Sequence, residues 1–426
     1  MAEVEIGVGK TARLGYALGD VTIVPSRRTR DPDEVELSWQ LDAFGFALPF
    51  MSSAMDSVTS PASAIAIGSL GGLGVLDLEG LWTRYEDPAP LLEEIASLGS
   101  AGPGSAGSGS AGPGSAGSGS AGPGSGSGSA GPGSAGPSPS HGHGHGHGQG
   151  QGIERLRELY RAPVREDLLA ERLGEIAAAG TVVCGALRPH HARRLAPVAI
   201  EAGLEILVIQ SLVVSAEHVA KTGEPLDLKR FVRELDIPVV VGGCSSYNSA
   251  LHLMRTGAVG VLVGAGAGST SANSDVLGVG APQATAIADA AGARTRHLEE
   301  TGVYVQVVAD GGMATGGDIA RAIACGADAV MLGAPLAAAS EAPGRGWHFA
   351  AGVGHSSLPR ASLRPVVERG TLEEILLGPA CSSDGRTNLF GGLRRAMAVS
   401  GCASVKELQK AEVVVCRPAA ASLGRA

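Results

Sequence analysis

The stretch that decides the fold is YVQVVADGGMATGGDIARAIACGADAVMLGAP, residues 304–335. It begins with an apolar run at 304–311, continues with a helical pattern at 317–325 and ends with a second apolar run at 329–335. Both runs are hydrophobic without regular alternation, which is typical of strands buried on both faces of a sheet. A strand, a helix and a second strand in this order predict a parallel β-α-β unit.

Six further apolar runs of the same kind precede this unit in the chain. They span 48–55, 71–76, 181–187, 205–211, 238–243 and 260–266. Amphipathic helical patterns separate most of them, for example at 189–202 and 282–300. Eight strands that alternate with helices over about 300 residues predict an α/β fold of the (β/α)8 TIM-barrel class. A doubly wound open sheet is the alternative, but no G-x-G-x-x-G follows the first strand.

One segment, residues 99–152, consists of Gly, Ser, Ala and Pro followed by His-Gly and Gln-Gly repeats. It offers no side chains for a core, so we predict a disordered linker. The linker divides a helical region into 88–98 and 153–178, so that residues 1–98 and 153–426 form one barrel domain. Its histidines could bind a transition metal loosely, although the composition favours a polar, flexible tract. They are His141, His143, His145 and His147.

Composition excludes several classes of function. The formal net charge is -9 and no basic stripe is present, so a nucleic-acid partner is not expected. The six cysteines form no C-x-x-C pair, which argues against a zinc site or a disulfide framework. The N-terminus lacks an apolar signal region, and no run approaches 18 apolar residues. We therefore expect a cytoplasmic protein without a membrane span.

The ends of strands seven and eight indicate a ligand site, because TIM barrels bind ligands at the carboxyl ends of their strands. Strand seven ends in Asp310-Gly311-Gly312, and strand eight ends in Gly333-Ala334. Glycine allows the backbone to approach a ligand closely, and the loops after these two strands commonly bind phosphate. The pattern predicts a phosphate site, with Asp310 available to ribose hydroxyls. The alternative is that the glycines only form tight turns.

Several longer motifs resemble the IMP dehydrogenase/GMP reductase family. They are FMSSAMDSVT at 50–59, GAPQATA at 280–286, ADGG at 309–312, GADAVMLG at 326–333 and GGLR at 391–394. The resemblance covers nearly the whole chain outside the linker. The linker lies near the point where the family inserts a pair of regulatory CBS domains. Together with LEGLWTRYEDP at 78–88, this feature favours the short, CBS-lacking branch related to IMP dehydrogenase.

The resemblance implies NAD-dependent oxidation of IMP to XMP, a step of GMP biosynthesis, by a homotetramer that binds purine nucleoside monophosphates. The family's nucleotide-binding positions carry over to this chain as follows: phosphate at Ser269, Gly312, Gly333 and Ala334, ribose at Asp310, and the base near Ser53 and Met55. Ala334 stands where the family usually has a serine, so one hydroxyl donor is lost and the amide remains.

The same resemblance implies positions for the cofactor and for a cation. NAD should pass near Gln210 and Ser211, where the family usually has Asp-Ser, and near Cys244, where it usually has asparagine. Many members bind a monovalent cation such as K+ through loop carbonyls. The corresponding carbonyls here belong to Gly266, Gly268 and Ser271.

The main departure from the family is at the nucleophile. The family pattern G-x-G-x-G-S-x-C-x-T reads GAGAGSTSAN at 264–273, so Ser271 replaces the cysteine and Asn273 replaces the threonine. Cysteine is partly thiolate at neutral pH, whereas serine needs an adjacent base, and none is evident in this loop. Arg360 is a candidate for the family's water-activating arginine on a flap at the carboxyl-end face. Two alternatives stay open: a reductase acting on GMP or XMP, and a catalytically impaired nucleotide-binding regulatory protein.

Overall fold

The computed structural model describes residues 3–100, 147–216, 226–265, 277–349 and 363–416. Eight parallel strands form its central sheet, and each matches one of the predicted runs. They are β1 (Phe50–Ser52), β2 (Val75–Asp77), β3 (Cys184–Leu187), β4 (Ile206–Gln210), β5 (Val239–Cys244), β6 (Gly260–Val263), β7 (Gln306–Asp310) and β8 (Ala329–Leu332). Neighbours in sequence are neighbours in the sheet, and β8 also pairs with β1.

The sheet closes on itself between β1 and β2. Met51 and Leu73 form an isolated parallel bridge, and the Ser52 amide donates to the Leu73 carbonyl at 2.9 Å. The Ser52 hydroxyl accepts the Val75 amide at 2.8 Å, so a side chain completes the seam. This closure confirms the (β/α)8 barrel and excludes the open doubly wound sheet.

Helices surround the barrel. They are α1 (Pro61–Ser69), α2 (Ala89–Ser100), α3 (His147–Leu159), α4 (Glu166–Ala178), α5 (Pro189–Glu201), α6 (Leu228–Arg233), α7 (Tyr247–Met254), α8 (Gln283–Thr301), α9 (Gly316–Ala324), α10 (Ala334–Ala337), α11 (Leu372–Leu376), α12 (Leu389–Val399) and α13 (Val405–Leu408). The helices predicted at 189–202, 282–300 and 317–325 are confirmed to within a residue at each end. Across the described ranges, no helix is long and apolar enough to cross a membrane.

Short elements complete the described part of the chain. The 3-10 turns are Leu18–Asp20, Pro32–Glu34 and Leu81–Thr83. Four antiparallel pairs lie outside the barrel sheet: Glu3–Gly7 with Lys10–Arg13, Val21–Ile23 with Val413–Val415, Trp39–Leu41 with Phe44–Phe46, and Trp347–His348 with Arg364–Pro365.

Two apolar cores lie on opposite sides of the barrel wall. Successive residues of a strand point to opposite faces, so Val75 packs inside the barrel and Leu76 packs against the helices. The hairpin of Trp39–Leu41 and Phe44–Phe46 adds its aromatic side chains to the inner core. Trp39 Nε1 lies 3.4 Å from Gln306 Oε1, at the first residue of β7, so the hairpin plugs the amino end of the barrel. The interior is therefore a packed core.

The predicted linker starts and ends in helices. Helix α2 extends to Ser100 and α3 begins at His147, so both helices include residues that the sequence assigned to the linker. The predicted linker boundaries stay a prediction, and the helices overlap them at residues 99–100 and 147–152. Arg155 bonds Glu94 at 2.9 Å and holds α3 beside α2. Residues 101–146, with His141, His143 and His145, lie outside the described residues.

Candidate active site

The carboxyl end of the barrel, called the mouth below, is lined by inward-facing side chains at the strand ends. Four strands each contribute a residue that points into the inner core, namely Met51, Val75, Val208 and Val308. Side-chain direction repeats every two residues along a strand. The residues two positions further on therefore face the mouth: Ser53, Asp77, Gln210 and Asp310.

Asp310 and Gln210 meet across the mouth. Gln210 Nε2 donates to Asp310 Oδ2 at 3.2 Å and lies 3.5 Å from Met331 Sδ. Burial raises the pKa of Asp310 to about 6, and the Gln210 hydrogen bond limits that rise. The structure thus brings a residue predicted for the cofactor into contact with the residue predicted for the ribose. At neutral pH Asp310 is mostly ionised and can accept hydroxyl hydrogens.

Glycines open the mouth beside Asp310. Gly311 and Gly312 have φ of 90° and 84°, a left-handed conformation that other residues rarely adopt. A Cβ on Gly333 would lie 3.0 Å from Ser53 Oγ, so a larger residue there would crowd this hydroxyl. Directly after Gly333, Ala334 begins the short helix α10. A glycine turn after β7 and a short helix after β8 form the arrangement with which TIM barrels commonly bind phosphate.

The start of the loop after β6 is fixed against Asp310. A Cβ on Gly264 would lie 2.0 Å from the Asp310 carbonyl oxygen, so only glycine fits there. Gln283 Nε2 donates to the carbonyls of Val263, at 2.7 Å, and Asp310, at 3.3 Å. The predicted loop residues Gly266, Gly268, Ser269, Ser271 and Asn273 lie outside the described residues. The predicted cation carbonyls belong to this group, so they stay a prediction.

The predicted flap is described only at its two ends. Trp347–His348 pairs with Arg364–Pro365 in antiparallel fashion, so the chain leaves and re-enters at the same place. His348 is buried beside Ser57, whose Oγ lies 3.2 Å from His348 Nδ1. Burial lowers the pKa of His348 to about 4, which keeps this ring neutral. Arg360 itself lies outside the described residues.

The remaining predicted residues differ in their exposure. Ser211 is exposed at the end of β4, and its amide donates to the Gly242 carbonyl at 2.9 Å. Met55 is half-buried and packs against the outer core. Cys244 is 1% exposed and its thiol donates to the Leu262 carbonyl at 3.4 Å. Burial raises the pKa of this thiol to about 12, so the structure does not present Cys244 to a ligand.

The position of Cys244 has a backbone cause. The register between β5 and β6 shifts between Gly242 and Cys244, where a bulge places Cys244 opposite Val263. Val263 belongs to the outer core, and so does Cys244. A bulge reverses the face to which the following side chain points. The prediction that Cys244 contacts the cofactor is therefore not supported by this placement.

Comparison with known proteins assigns the family. The model of the IMP dehydrogenase / GMP reductase domain matches residues 15–357. The chain belongs to this family. A relative from Mycolicibacterium smegmatis, described as an uncharacterized oxidoreductase, is 44% identical over 97% of this chain and 99% of its own length. The inosine-5'-monophosphate dehydrogenase of Haemophilus influenzae is 32% identical over 61% of this chain and 54% of its own length.

A solved structure supports the same assignment. An IMP dehydrogenase/GMP reductase-like protein from Corynebacterium glutamicum is 39% identical, with a TM-score of 0.82 over 97% of both chains. The protein is thus an oxidoreductase of the IMP dehydrogenase/GMP reductase family with the family's barrel.

In this family member, sequence reasoning missed a group of ionisable side chains on the other side of the mouth. We call it the β2–β3 network: Asp56, Asp77, Glu79, Tyr160, Arg188 and His191. Glu79 is fully buried and accepts the Arg188 amide at 2.6 Å, the Arg188 guanidinium at 2.8 Å and His191 Nδ1 at 2.5 Å. Burial alone would raise the pKa of Glu79, but Arg188 holds it below its ordinary value. The ionised form of Glu79 is therefore favoured, and its hydrogen bond from the Arg188 amide fixes the start of α5.

The aspartates of the network have the opposite property. Tyr160 OH and the Leu81 amide both donate to Asp56, and burial still raises its pKa. Burial raises the pKa of Asp77 to about 7, although Arg188 Nη2 lies 3.7 Å from Asp77 Oδ2. Of these residues only Asp77 had a signal in the sequence, since it ends strand two as Asp310 ends strand seven.

Within the described part of the chain, one group of side chains has the spacing of a metal site. Ligand atoms of Glu79, His190 and His191 lie within 4.8 Å of one another. However, both Glu79 oxygens already accept hydrogen bonds from Arg188, whose fixed positive charge disfavours a cation there. The arrangement is better described as a buried ion pair that orients His191.

Proposed function

We propose that this protein oxidises IMP to XMP at the mouth, with NAD+ as the hydride acceptor. The observation that carries the proposal is the joint position of Asp310, Gly333 and α10 along one edge of the mouth. A carboxylate for ribose hydroxyls and a backbone turn for phosphate lie side by side there, which fits a nucleoside monophosphate. Family membership, together with its IMP dehydrogenase relatives, supports the choice of a purine.

Each half of the nucleotide would meet different groups. The phosphate would bind at the amides of Gly312, Gly333 and Ala334, and the ribose hydroxyls would donate to Asp310. The base would then extend over Ser53, whose hydroxyl lies beside Gly333. Met55, which is half-buried, would border the base on the β1 side. This order follows the strand order β7, β8, β1 around the barrel.

The cofactor would enter from the β4 side. Gln210 and exposed Ser211 present an amide and a hydroxyl there, which suits a carboxamide-bearing ring. When bound, NAD+ supplies an acceptor for the hydride that leaves C2 of the purine. This chain's own part is to hold the nucleotide, to exclude water until the hydride has left, and to supply a nucleophile. Ser271 is our candidate for that nucleophile.

The decisive assay is NADH formation by the purified protein with IMP and NAD+, measured by absorbance. We expect turnover, at a rate reduced by the weak nucleophilicity of serine. Consumption of NADPH with GMP or XMP, and no NADH with IMP, would replace the proposal by a reductase. Inactivity in both directions would contradict the oxidoreductase proposal for these substrates.

A second candidate function is nucleotide binding without efficient turnover. It is favoured by Ser271 and Asn273 at positions where the family has cysteine and threonine. Calorimetry with IMP separates binding from catalysis. We expect Asp310→Ala to weaken IMP binding by roughly 2–4 kcal/mol, because charge-assisted hydrogen bonds in a desolvated site are lost. Asp236→Ala, an exposed carboxylate before the amino end of β5, is the control and should bind IMP normally.

A further inference from the structure

A buried histidine, His348, lies against the turn at which the nucleotide phosphate is proposed to bind. A Cβ on Gly333 would lie 3.6 Å from His348 Cε1 and 3.0 Å from Ser53 Oγ, so the imidazole borders this glycine. The strand Trp347–His348 also contacts helix α10, which begins at Ala334. His348 is 3% exposed. The ring is therefore packed beside the amides of Gly333 and Ala334.

Hydrogen bonds to Ser57 fix the orientation and the tautomer of this ring. Ser57 Oγ donates its proton to the Phe349 carbonyl at 2.6 Å and accepts the Phe349 amide at 3.0 Å. Because a hydroxyl has only one proton, the 3.2 Å contact between Ser57 Oγ and His348 Nδ1 requires a proton on Nδ1. Nε2 of the neutral ring is then an unprotonated acceptor. Nε2 is bonded to Cε1, so it lies on the Gly333 side of the ring.

The Nε2 atom has no hydrogen-bond partner among the described residues, whereas Nδ1 is held by Ser57. A polar atom of a side chain that is nine-tenths buried normally has a partner, because leaving it unpaired costs free energy. Helix α10 reads Ala334-Pro335-Leu336-Ala337 and has no polar side chain that could bond a phosphate. The free nitrogen therefore lies where a bound phosphate has backbone amides and needs a further donor.

Burial and one neighbouring charge keep the ring neutral in the free protein. Burial is the larger cause and Arg364, on the paired strand, is the smaller one, and together they lower the pKa of His348 to about 4. Helix α10 carries no titratable residue. In the loop after β1, Asp56 is turned toward Tyr160 and the Leu81 amide. An anion beside Nε2 would favour the protonated form of the ring, because opposite charges at short range stabilise each other.

We propose that His348 binds the phosphate of the nucleotide, with Nε2 donating a hydrogen bond to a phosphate oxygen. The ring takes up one proton from the buffer as the phosphate dianion binds, so that an imidazolium faces the phosphate in the complex. Such charge-assisted hydrogen bonds are stronger than those between neutral groups. This assignment rests on the proposed function. It adds a side chain to the amides of Gly312, Gly333 and Ala334.

Calorimetric titration of the full chain with IMP between pH 7 and pH 8.5 tests the assignment. In this range the IMP phosphate is mostly a dianion and Asp310 is mostly ionised, since both have a pKa of about 6. Uptake of one proton should therefore weaken IMP binding about 10-fold for each pH unit. Titrations at pH 7.5 in two buffers of different ionisation enthalpy should show about one proton taken up per IMP. Inosine lacks the phosphate, so its binding should take up none.

Two substitutions separate the phosphate contact from the fold. His348→Asn keeps an N–H for Ser57 and removes Nε2, so IMP binding at pH 7 should weaken by about 10–100-fold and lose its proton uptake. His348→Gln keeps a donor near the position of Nε2 that cannot titrate. Its affinity should lie between those of wild type and His348→Asn, also without proton uptake. Asp77, with a pKa of about 7, is present in every variant, so differences between variants report on position 348.

A second buried histidine provides the matched control. His297 on α8 is 5% exposed, and burial lowers its pKa as it does that of His348. It lies near the end of α8, away from the Gly333 turn. His297→Asn should therefore bind IMP with the affinity and the proton uptake of wild type.

Each outcome decides between the alternatives. Equal IMP affinity and equal proton uptake in wild type and His348→Asn would overturn the assignment and leave the proposed function standing. Weaker binding of IMP and inosine alike by His348→Asn, with proton uptake unchanged, would show a structural role and would also overturn it. A wild type that binds no IMP would overturn the proposed function, and this assignment with it.

Discussion

Asp328 at the amino end of the barrel and two aspartates at the mouth, Asp77 and Asp310, have pKa values shifted in opposite directions. At the amino end, Asp328 is 1% exposed and bonds Arg294 at 2.8 Å, Lys406, Tyr304 and the Val307 amide. Burial would raise its pKa, but Arg294 and Lys406 outweigh burial and lower it. At the mouth, buried Asp77 and half-buried Asp310 have fewer partners, and their pKa values are raised to about 7 and about 6.

This difference indicates that Asp328 contributes to stability, whereas Asp77 and Asp310 are present for function. A fully paired carboxylate favours the folded state, and it joins β8 to α8 and α13 at the amino end. A carboxylate with raised pKa disfavours the folded state at neutral pH, so its presence needs another reason. The two aspartates at the mouth therefore lower the stability of the folded protein, and they remain able to bind a ligand or to exchange protons.

The largest effect should come from Asp328→Ala. It leaves Arg294, whose side chain is 11% exposed, without its anion. We expect the free energy of unfolding to fall by about 3–5 kcal/mol, as for a broken buried ion pair. Because the pKa of Asp328 is lowered, its contribution should be present at neutral pH and be lost as pH falls through the folded-state value. Chemical denaturation at several pH values measures the loss of free energy of unfolding and its dependence on pH.

A surface ion pair serves as the control for that variant. Glu166→Ala removes the 2.9 Å pair with Arg194, in which both side chains are about half exposed. Its cost should stay below about 1 kcal/mol. Equal losses for Asp328→Ala and Glu166→Ala would contradict the view that the amino end is the stabilising end.

Ser271→Cys should increase IMP oxidation by at least roughly 10-fold, about 1.4 kcal/mol in the barrier. A thiol is partly ionised at neutral pH and a serine hydroxyl is not. Asn273→Thr is added in a second variant, since neighbouring catalytic residues act as a unit. Rates of NADH formation for the two variants decide the point. Brisk wild-type turnover with no gain from cysteine would show that Ser271 is activated or bypassed.

A smaller effect is expected from Asp310→Asn in the absence of ligand. Because the pKa of Asp310 is raised to about 6, its ionised form destabilises the folded protein above about pH 6. This destabilisation disappears as the pH falls toward the pKa that Asp310 has in the unfolded chain. Asparagine should therefore stabilise the free protein by about 1 kcal/mol at pH 8 and by almost nothing at pH 4. This figure is below the full linkage value because water partly screens the half-buried side chain. Thermal melts at both pH values test it, and destabilisation at pH 8 would contradict it.

The smallest effect should follow from replacing residues 101–146 with about six Gly/Ser residues. Shortening the connection between α2 and α3 reduces the loop-closure entropy only slowly, so the melting midpoint should rise or fall by no more than a few degrees. Differential scanning calorimetry measures the midpoint. A large drop would mean that the segment contributes packing, contrary to what its composition predicts.

Sequence reasoning located the barrel because strands buried on both faces have a strong local signature. It also located Asp310 and the glycine turns, since each lies beside the strand it terminates. It did not find the β2–β3 network, whose members come from β1, β2, β3 and the end of α3. Charges that meet through folding leave little trace in the local pattern. Nor did it place Cys244, because one bulge in β5 reverses a side chain and cannot be read from hydrophobicity.

The pairing of α2 with α3 has a consequence for how the protein can change over time. The chain leaves the barrel at Ser100 and returns at His147 along two helices that lie side by side. A segment inserted between them is connected to the ends of two paired helices, so no strand of the barrel has to change to accommodate it. Just beyond α3, Tyr160 bonds Asp56 in the β2–β3 network. Evolution or an engineer can therefore exchange whole modules at this point, and helix α3 would separate such a module from Tyr160 and the β2–β3 network.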